Sequence, residues 1–284
     1  MSTPTRTESI ALQALNVKPR PATFRENLKE KPERWMTPAL AVVVLMVWEY
    51  GTVLIGMSPN VLPRPSSIVE SLFVRLIDPN FWGHVGVTTQ EAGVGFAIAA
   101  VSALVLGTTI SQNRLLEKTV MPYIVAFQTV PKVALAPLFV VWFGFGIASK
   151  IVMAAVIAFF PMLINVIEGL KSAEPERVQM LKVFGASRMQ IFRYVRLPSA
   201  TPFIFAGLEM GIVFSILGAV VGEFIGAQRG LGNLLLQANY NFDVAGMFAI
   251  LIVLSAMGLI AHIVLGAIQH RVAFWAEESR VITT

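Results

Sequence analysis

Five ionisable side chains, Glu49, Glu91, Lys132, Glu209 and Glu223, lie inside otherwise apolar stretches of this sequence. A charge at mid-depth in a bilayer costs about 2.5–3.5 kcal/mol on insertion scales, so each such group needs a partner or water. The group then serves either a polar pathway or a structural ion pair. Lys132 follows Pro131, and Glu223 closes an apolar stretch beside a run of glycines, which makes these two the best pathway-facing candidates. They are also expected to pair with each other, within one chain or across a dimer. Glu49 is better read as part of the packing of its own segment, and Glu91 as interfacial, near the end of its stretch. Lys132 would attract an anion in a low-dielectric passage, and Glu209 and Glu223 would oppose it. No paired carboxylates, Ser–His–Asp set or metal cluster stands out. His84, His262 and His270 lack metal-ligand spacing and suit surface or interfacial positions, and the absence of cysteine rules out disulfides and thiolate metal sites. Nothing in this set argues for catalysis.

The elements that must position these residues are membrane spans. The chain has 284 residues, 55% hydrophobic and 14% charged, with a mean hydropathy of +0.69. Soluble domains run near a quarter charged. About twenty apolar residues cross a bilayer core, and six stretches qualify: 38–57, 85–110, 119–143, 150–167, 201–225 and 244–268. Pro122, Pro131 and Pro137 interrupt the third, which predicts a broken or kinked element. Residues 1–37 read as a polar tail without a cleavable leader, the first span acting as an uncleaved signal. Residues 38–270 form the membrane domain, and residues 271–284 form a second tail.

Lysine and arginine counts set the orientation. Seventeen of the 22 fall in the N-terminal tail, after span two, after span four and in the C-terminal tail, and four fall on the opposite side. Both termini are therefore expected in the cytoplasm. The same split removes nucleic acid as a partner, because the basic residues follow topology.

Between spans four and five, residues 168–198 read as two short helices. Pro175, flanked by Glu174 and Glu176, starts the first. Val178, Met180, Leu181 and Phe184 share one side of it, with Gln179 and Lys182 opposite. Gly185 is placed as a C-terminal glycine, Ser187 and Gln190 match a capping box, and Leu197-Pro198 is expected to end the second helix. A helical hairpin with an apolar stripe outside the membrane is built to dock.

At this point the residues reach a resemblance. Gly185-Ala186, and Leu197-Pro198 after the intervening helix, resemble the conserved cytoplasmic loop of ATP-binding cassette importer permeases, although Gln179, Met180 and Leu181 stand where that loop's signature triplet belongs. The run Val130–Leu138, then Trp142-Phe143-Gly144-Phe145-Gly146 and Lys150, is similar to the nitrate/sulfonate/taurine branch. Leu62-Pro63-Arg64-Pro65 and Gly230-Leu231-Gly232 fit the same branch, so the resemblance covers roughly residues 40–275.

The resemblance implies an all-α, polytopic inner-membrane protein of about six spans with a type I importer fold. It implies a homodimer, a pair of ATPase subunits docked on the hairpin, and an extracytoplasmic solute-binding protein. Gln179, Gly185, Ala186, Ser187, Arg188, Leu197 and Pro198 would couple to the ATPase, and Gln128, Pro131, Lys132, Glu209, Ser215 and Glu223 would line a pathway or gate. The sequence carries no GxxxxGK[ST] phosphate loop, so ATP and magnesium belong to the separate ATPase, and this chain needs no cofactor. Nitrate, taurine, alkanesulfonates, aromatic acids and heterocyclic vitamin precursors are the implied solutes. The small-residue row Gly207, Gly211, Ser215, Gly218, Gly222, Gly226 and Gly230 marks either a crossing at the dimer or gate, or ordinary packing within the chain. Trp48, Trp82, Trp142 and Trp275 suit interfacial anchors. The rivals are a carrier driven by an ion gradient, which would often show two similar halves, and a membrane-embedded enzyme.

Overall fold

The computed structural model describes residues 33–276; the tails at 1–32 and 277–284 lie outside the described residues. Every described regular element is helical. The chain divides into two units, 1–58 and 59–284. The first contributes α1 (Glu33–Leu54), whose apolar stretch Met36–Leu54 is long enough to span a membrane.

The second unit holds the rest. In chain order it contains α2 (Pro65–Ile77), α3 (Pro79–Gln112), α4 (Arg114–Thr129), a 3₁₀ turn (Lys132–Leu135), α5 (Ala136–Phe143) and α6 (Ile147–Lys171). The hairpin follows as α7 (Pro175–Val183), α8 (Arg188–Ile191) and a π turn (Phe192–Arg196). After it come α9 (Leu197–Glu223), α10 (Leu231–Tyr240), α11 (Val244–Val272) and a closing 3₁₀ turn (Phe274–Ala276).

Five helices are long and apolar enough to cross a membrane, and a bent pair makes a sixth candidate. That pair is α4 with the segment Lys132–Phe143, turned by 82°. The break has a local cause. Val130 precedes Pro131, which disfavours helical backbone at Val130, and its ψ is 129°. The kink expected from the prolines is therefore present. Gly144, at φ +77°, ends α5 and closes it with a 2.8 Å bond to the Val140 carbonyl.

The centre of the unit is α9 packed along α6, with α3 against both. Small residues allow the approach. A Cβ on Gly218 would sit 2.6 Å from Ala154 Cα, one on Gly222 would sit 3.1 Å from Lys150 Cα, and one on Gly211 would overlap Met162. The glycine row therefore serves packing inside one chain, from Gly207 against Asn165 to Gly222 against Lys150. Ser215 is fully buried in the same row, its hydroxyl donating to the Ile212 carbonyl at 2.8 Å.

This packing makes a testable demand. Gly218→Ala should lower stability by about 1–3 kcal/mol through overpacking. Gly258→Ala, where the nearest atom is Ile216 Cδ1 at 4.0 Å, should be close to neutral. Thermal unfolding of the two purified variants separates them, and equal losses would contradict the packing.

Leu197-Pro198 does not end the second hairpin helix. Pro198 lacks an N–H and its ring crowds the carbonyl four residues earlier, at Tyr194. The chain answers with one π turn, Leu197 N–H bonding back to the Phe192 carbonyl, and runs on as α9. Arg188–Glu223 is thus a single 36-residue helical stretch, about 54 Å long at 1.5 Å per residue.

Candidate functional site

Two regions at opposite ends of that long helix concentrate the unusual side chains. At its C-terminal end, Glu223 is fully buried. The first N–H groups of a helix lack internal partners, and those of α10 are met by side chains from elsewhere. Gly232 N–H and Asn233 N–H donate to the Glu223 carboxylate, the second at 3.4 Å. Leu231 N–H donates to Thr88 Oγ1 at 2.8 Å, and Thr88 Oγ1 donates to Glu223 Oε1 at 2.6 Å. Gly230 N–H donates to His84 Nδ1 at 3.0 Å. Gly230 itself sits at φ +118°, and a Cβ on it or on Gly232 would collide with the Glu223 carboxyl. Both glycines of this Gly-Leu-Gly tract are thus required by close approach.

Glu91 and Lys150 complete the cluster. Glu91 is 3% exposed and lies beside Glu223. Lys150 is 1% exposed, donates to the Phe145 carbonyl at 2.6 Å, and is close enough to attract both carboxylates. Three spans and α10 are tied together here. Two expectations change. Glu91 is buried rather than interfacial, because Gly95 one turn along α3 lets α6 approach within a Cβ's reach of Ala154. A carboxylate pair exists where none stood out. Lys150, which opens the stretch 150–167, turns inward because α6 begins at Ile147, and the partly exposed His84 holds a backbone N–H.

The expected Lys132–Glu223 pair is not formed. Lys132 Nζ donates to the Gln128 carbonyl at 3.0 Å and sits 5.0 Å from the Phe160 ring centroid. Glu223 has no exposed surface to offer a second chain. Lys150 is instead the cation close enough to attract it. Lys132 instead borders a cavity of about 520 Å³ at the break of the third span, with Ser102, Phe127, Val130, Phe159 and Phe160 among its walls. Gln128 and Pro131 are exposed beside it. Glu209, half-buried on α9, faces His262 on α11 at 3.9 Å.

The hairpin lies at the other end of the 36-residue helix. Gly185 adopts φ +78°, with its N–H bonded to the Lys182 carbonyl at 3.0 Å and Ala186 N–H bonded to the Leu181 carbonyl at 3.0 Å. Ser187 and Gln190 form the full capping box, at 3.3 Å and 2.7 Å. The apolar stripe is divided. Val178 and Leu181 turn partly inward, while Met180, Val183, Phe184, Met189 and Tyr194 are exposed, Phe184 at 79%. Gln179 and Arg188 are exposed among them. Val183, Met189 and Tyr194 were absent from the expected set; the period of α7 and the π turn put them outside. Leu197 is partly exposed, and the Pro198 carbonyl accepts from Trp275 Nε1 at 3.3 Å.

Residues 95–274 match the family described as binding-protein-dependent transport system inner membrane component. The formylaminopyrimidine transport permease protein ThiX of Halalkalibacterium halodurans is 33% identical over 244 residues, 86% of this chain and 97% of the relative. The riboflavin transport system permease protein RibX of Chloroflexus aurantiacus is 35% identical over 238 residues, 84% and 89% of the two chains. The taurine transport system permease protein TauC of Escherichia coli is 27% identical over 270 residues, 90% and 98%. A chain of the MetNI methionine ABC transporter in an inward-facing conformation superposes with a TM-score of 0.61 at 22% identity, over 68% of this chain and 98% of that one. The fold is that of a type I importer permease. The protein belongs to the family of binding-protein-dependent transport system inner membrane components, the permease subunits of ABC importers.

Proposed function

We propose that this chain forms, with a second copy of itself, the solute passage of an ATP-driven importer in the cell inner membrane, both termini cytoplasmic. A dimer of ATPase subunits carries ATP and magnesium and docks on residues 168–198. An extracytoplasmic binding protein delivers the solute on the other side. The observation that carries this reading is the capped hairpin with Met180, Val183, Phe184 and Met189 exposed, fused without a break to a membrane-crossing helix. An unpartnered apolar surface of this kind outside the membrane calls for a protein partner. A carrier driven by an ion gradient has no use for it.

The mechanism follows from continuity. Closure of the ATPases moves the hairpin, and the stiff Arg188–Glu223 stretch carries that movement through the bilayer. Its glycine row grips α6, and Glu223 at its far end holds the start of α10. A load applied at the hairpin therefore reaches the Glu223–Thr88–α10 latch. The differential binding of nucleotide to the two arrangements is the free energy that such a switch requires.

The solute we assign is a small, flat, apolar compound bearing a negative group. The cavity beside Lys132 has aromatic walls and one cation, which suits such a compound better than a zwitterion. The names of the relatives, a formylaminopyrimidine and a riboflavin transport permease, support a flat ring compound, while the negative group rests on Lys132 alone. Reconstitution tests the reading: purified permease should co-elute with its ATPase and give ATP-dependent uptake in proteoliposomes supplied with the binding protein. Lys132→Gln should lower uptake of the anionic solute about tenfold, the worth of one partly desolvated ion pair near 1.4 kcal/mol, while leaving ATPase association intact. Unchanged uptake in Lys132→Gln would remove the cavity from the pathway.

A further inference from the structure

Beneath the hairpin lies a second cavity of about 150 Å³, walled by Gln112, Val178, Lys182, Arg188, Ile191, Phe192 and Arg196. Three of its walls are cations and none is a carboxylate. Among the described residues, Lys182, Arg188 and Arg196 take part in no ion pair, whereas Lys171 and Arg177 nearby in sequence are both paired with glutamates. Like charges gathered without a counter-ion repel one another, and the arrangement is stabilised only when an anion enters.

The position of the cavity narrows the anion. Gln112 is the last residue of the α3 span, and Arg196 is the last residue before α9 begins its apolar run. Both mark the boundary between apolar and polar surface, where the phosphates of a bilayer lie. The walls are also mixed in the manner of a lipid head-group site. Ile191 is buried and Val178 and Phe192 are half-buried on one side, with the guanidinium and ammonium groups on the other. None of the exposed docking residues Met180, Val183, Phe184 or Met189 lines this cavity; of the expected coupling residues only Arg188 does, and Lys182 and Arg196 stand outside that set.

We propose that Lys182, Arg188 and Arg196 bind the phosphate head group of an anionic phospholipid at the junction of the hairpin and the membrane. Basic pockets at the cytoplasmic ends of spans recognise such head groups, and guanidinium groups suit phosphate because they donate in pairs. The bound lipid fixes the hairpin against the membrane surface from which it must transmit force. The site rests on the importer reading only for the cytoplasmic orientation; the charge cluster itself does not depend on it.

The test uses the purified full-length chain in a neutral detergent, with binding followed by thermal shift against dioctanoyl phosphatidylglycerol, dioctanoyl phosphatidylcholine and inorganic phosphate. The phosphatidylglycerol is expected to bind and stabilise, and the phosphatidylcholine and inorganic phosphate to do so at least tenfold more weakly. Lys182→Gln with Arg196→Gln should weaken phosphatidylglycerol binding about thirtyfold, at about fivefold for each cation removed. Lys182→Arg with Arg196→Lys, which keeps the charge, should retain binding, and this separates charge from folding. Inorganic phosphate binding as tightly as the lipid would identify a free-anion site and overturn the proposal. Equal binding of phosphatidylcholine, or equal loss in the charge-keeping pair, would overturn it as well. So would a glutamine pair that keeps its lipid but loses the co-purifying ATPase, since the cations would then serve the ATPase. That last outcome leaves the importer reading standing, whereas absent ATP-dependent uptake with intact lipid binding would do the reverse.

Discussion

Lys150→Met is expected to be among the most destabilising single changes in the membrane domain. Lys150 is the cation beside two buried carboxylates, Glu91 and Glu223. Removing one partner of a buried charged set leaves the others uncompensated and costs about 3–5 kcal/mol. On the scale of soluble domains this lowers the unfolding midpoint by on the order of 10 °C. Glu91→Gln should cost much less, because it leaves Lys150 and Glu223 in place as a pair of opposite charge. Glu91 Oε2 has no hydrogen-bond partner, so little bonding is lost with it. The decisive comparison is the double variant: Lys150→Met with Glu223→Gln removes both members of that pair and should lose less than the two single changes combined. Fluorescence-detected size exclusion over a temperature ramp reads the double variant beside each single change. Strictly additive losses would show that the groups do not interact and that Lys150 serves only to fill space.

That cluster was the least legible part of the sequence, for a physical reason. Local chemistry announces itself over three or four residues. Ser187 with Gln190 stated a capping box, Gly185 a left-handed end, and Pro131 a break, and each stands in the structure as read. Glu91, Lys150 and Glu223 are instead brought together by backbone approach at Gly95, Gly218 and Gly222, and nothing in the sequence states which helix those glycines face. Lys150 opens the fourth apolar stretch of the sequence, and nothing local states that its side chain turns inward to the Phe145 carbonyl. Leu197-Pro198 was misread for a different reason. A proline ordinarily ends a helix, and only the five-residue bond from Leu197 to Phe192 lets the helix pass through. The helical class and a count of five or six spans were legible because they rest on composition summed over long windows.

Changes at the turn of the hairpin should separate docking from force transmission. Phe184 is 79% exposed next to Gly185, and a large aromatic left bare at a protein surface is the usual centre of an interface. Phe184→Asp should weaken ATPase association at least thirtyfold, the loss of about 2 kcal/mol that defines such a residue. Gly185→Val acts on the backbone alone. No atom lies within 4 Å of the position a Cβ would occupy, so there is room for the side chain, but φ is +78°. A β-branched residue resists that conformation at a cost of about 1–3 kcal/mol, whereas asparagine tolerates it. The expected result is that Gly185→Val loses most ATP-driven uptake with the ATPase still attached, while Gly185→Asn transports nearly as well as the unaltered protein. The measurements are ATPase co-purification and uptake into proteoliposomes for the three variants. If Gly185→Val transports normally, the left-handed turn is not what holds the hairpin in its coupling shape. If Phe184→Asp keeps its ATPase, the docking surface lies elsewhere on the chain.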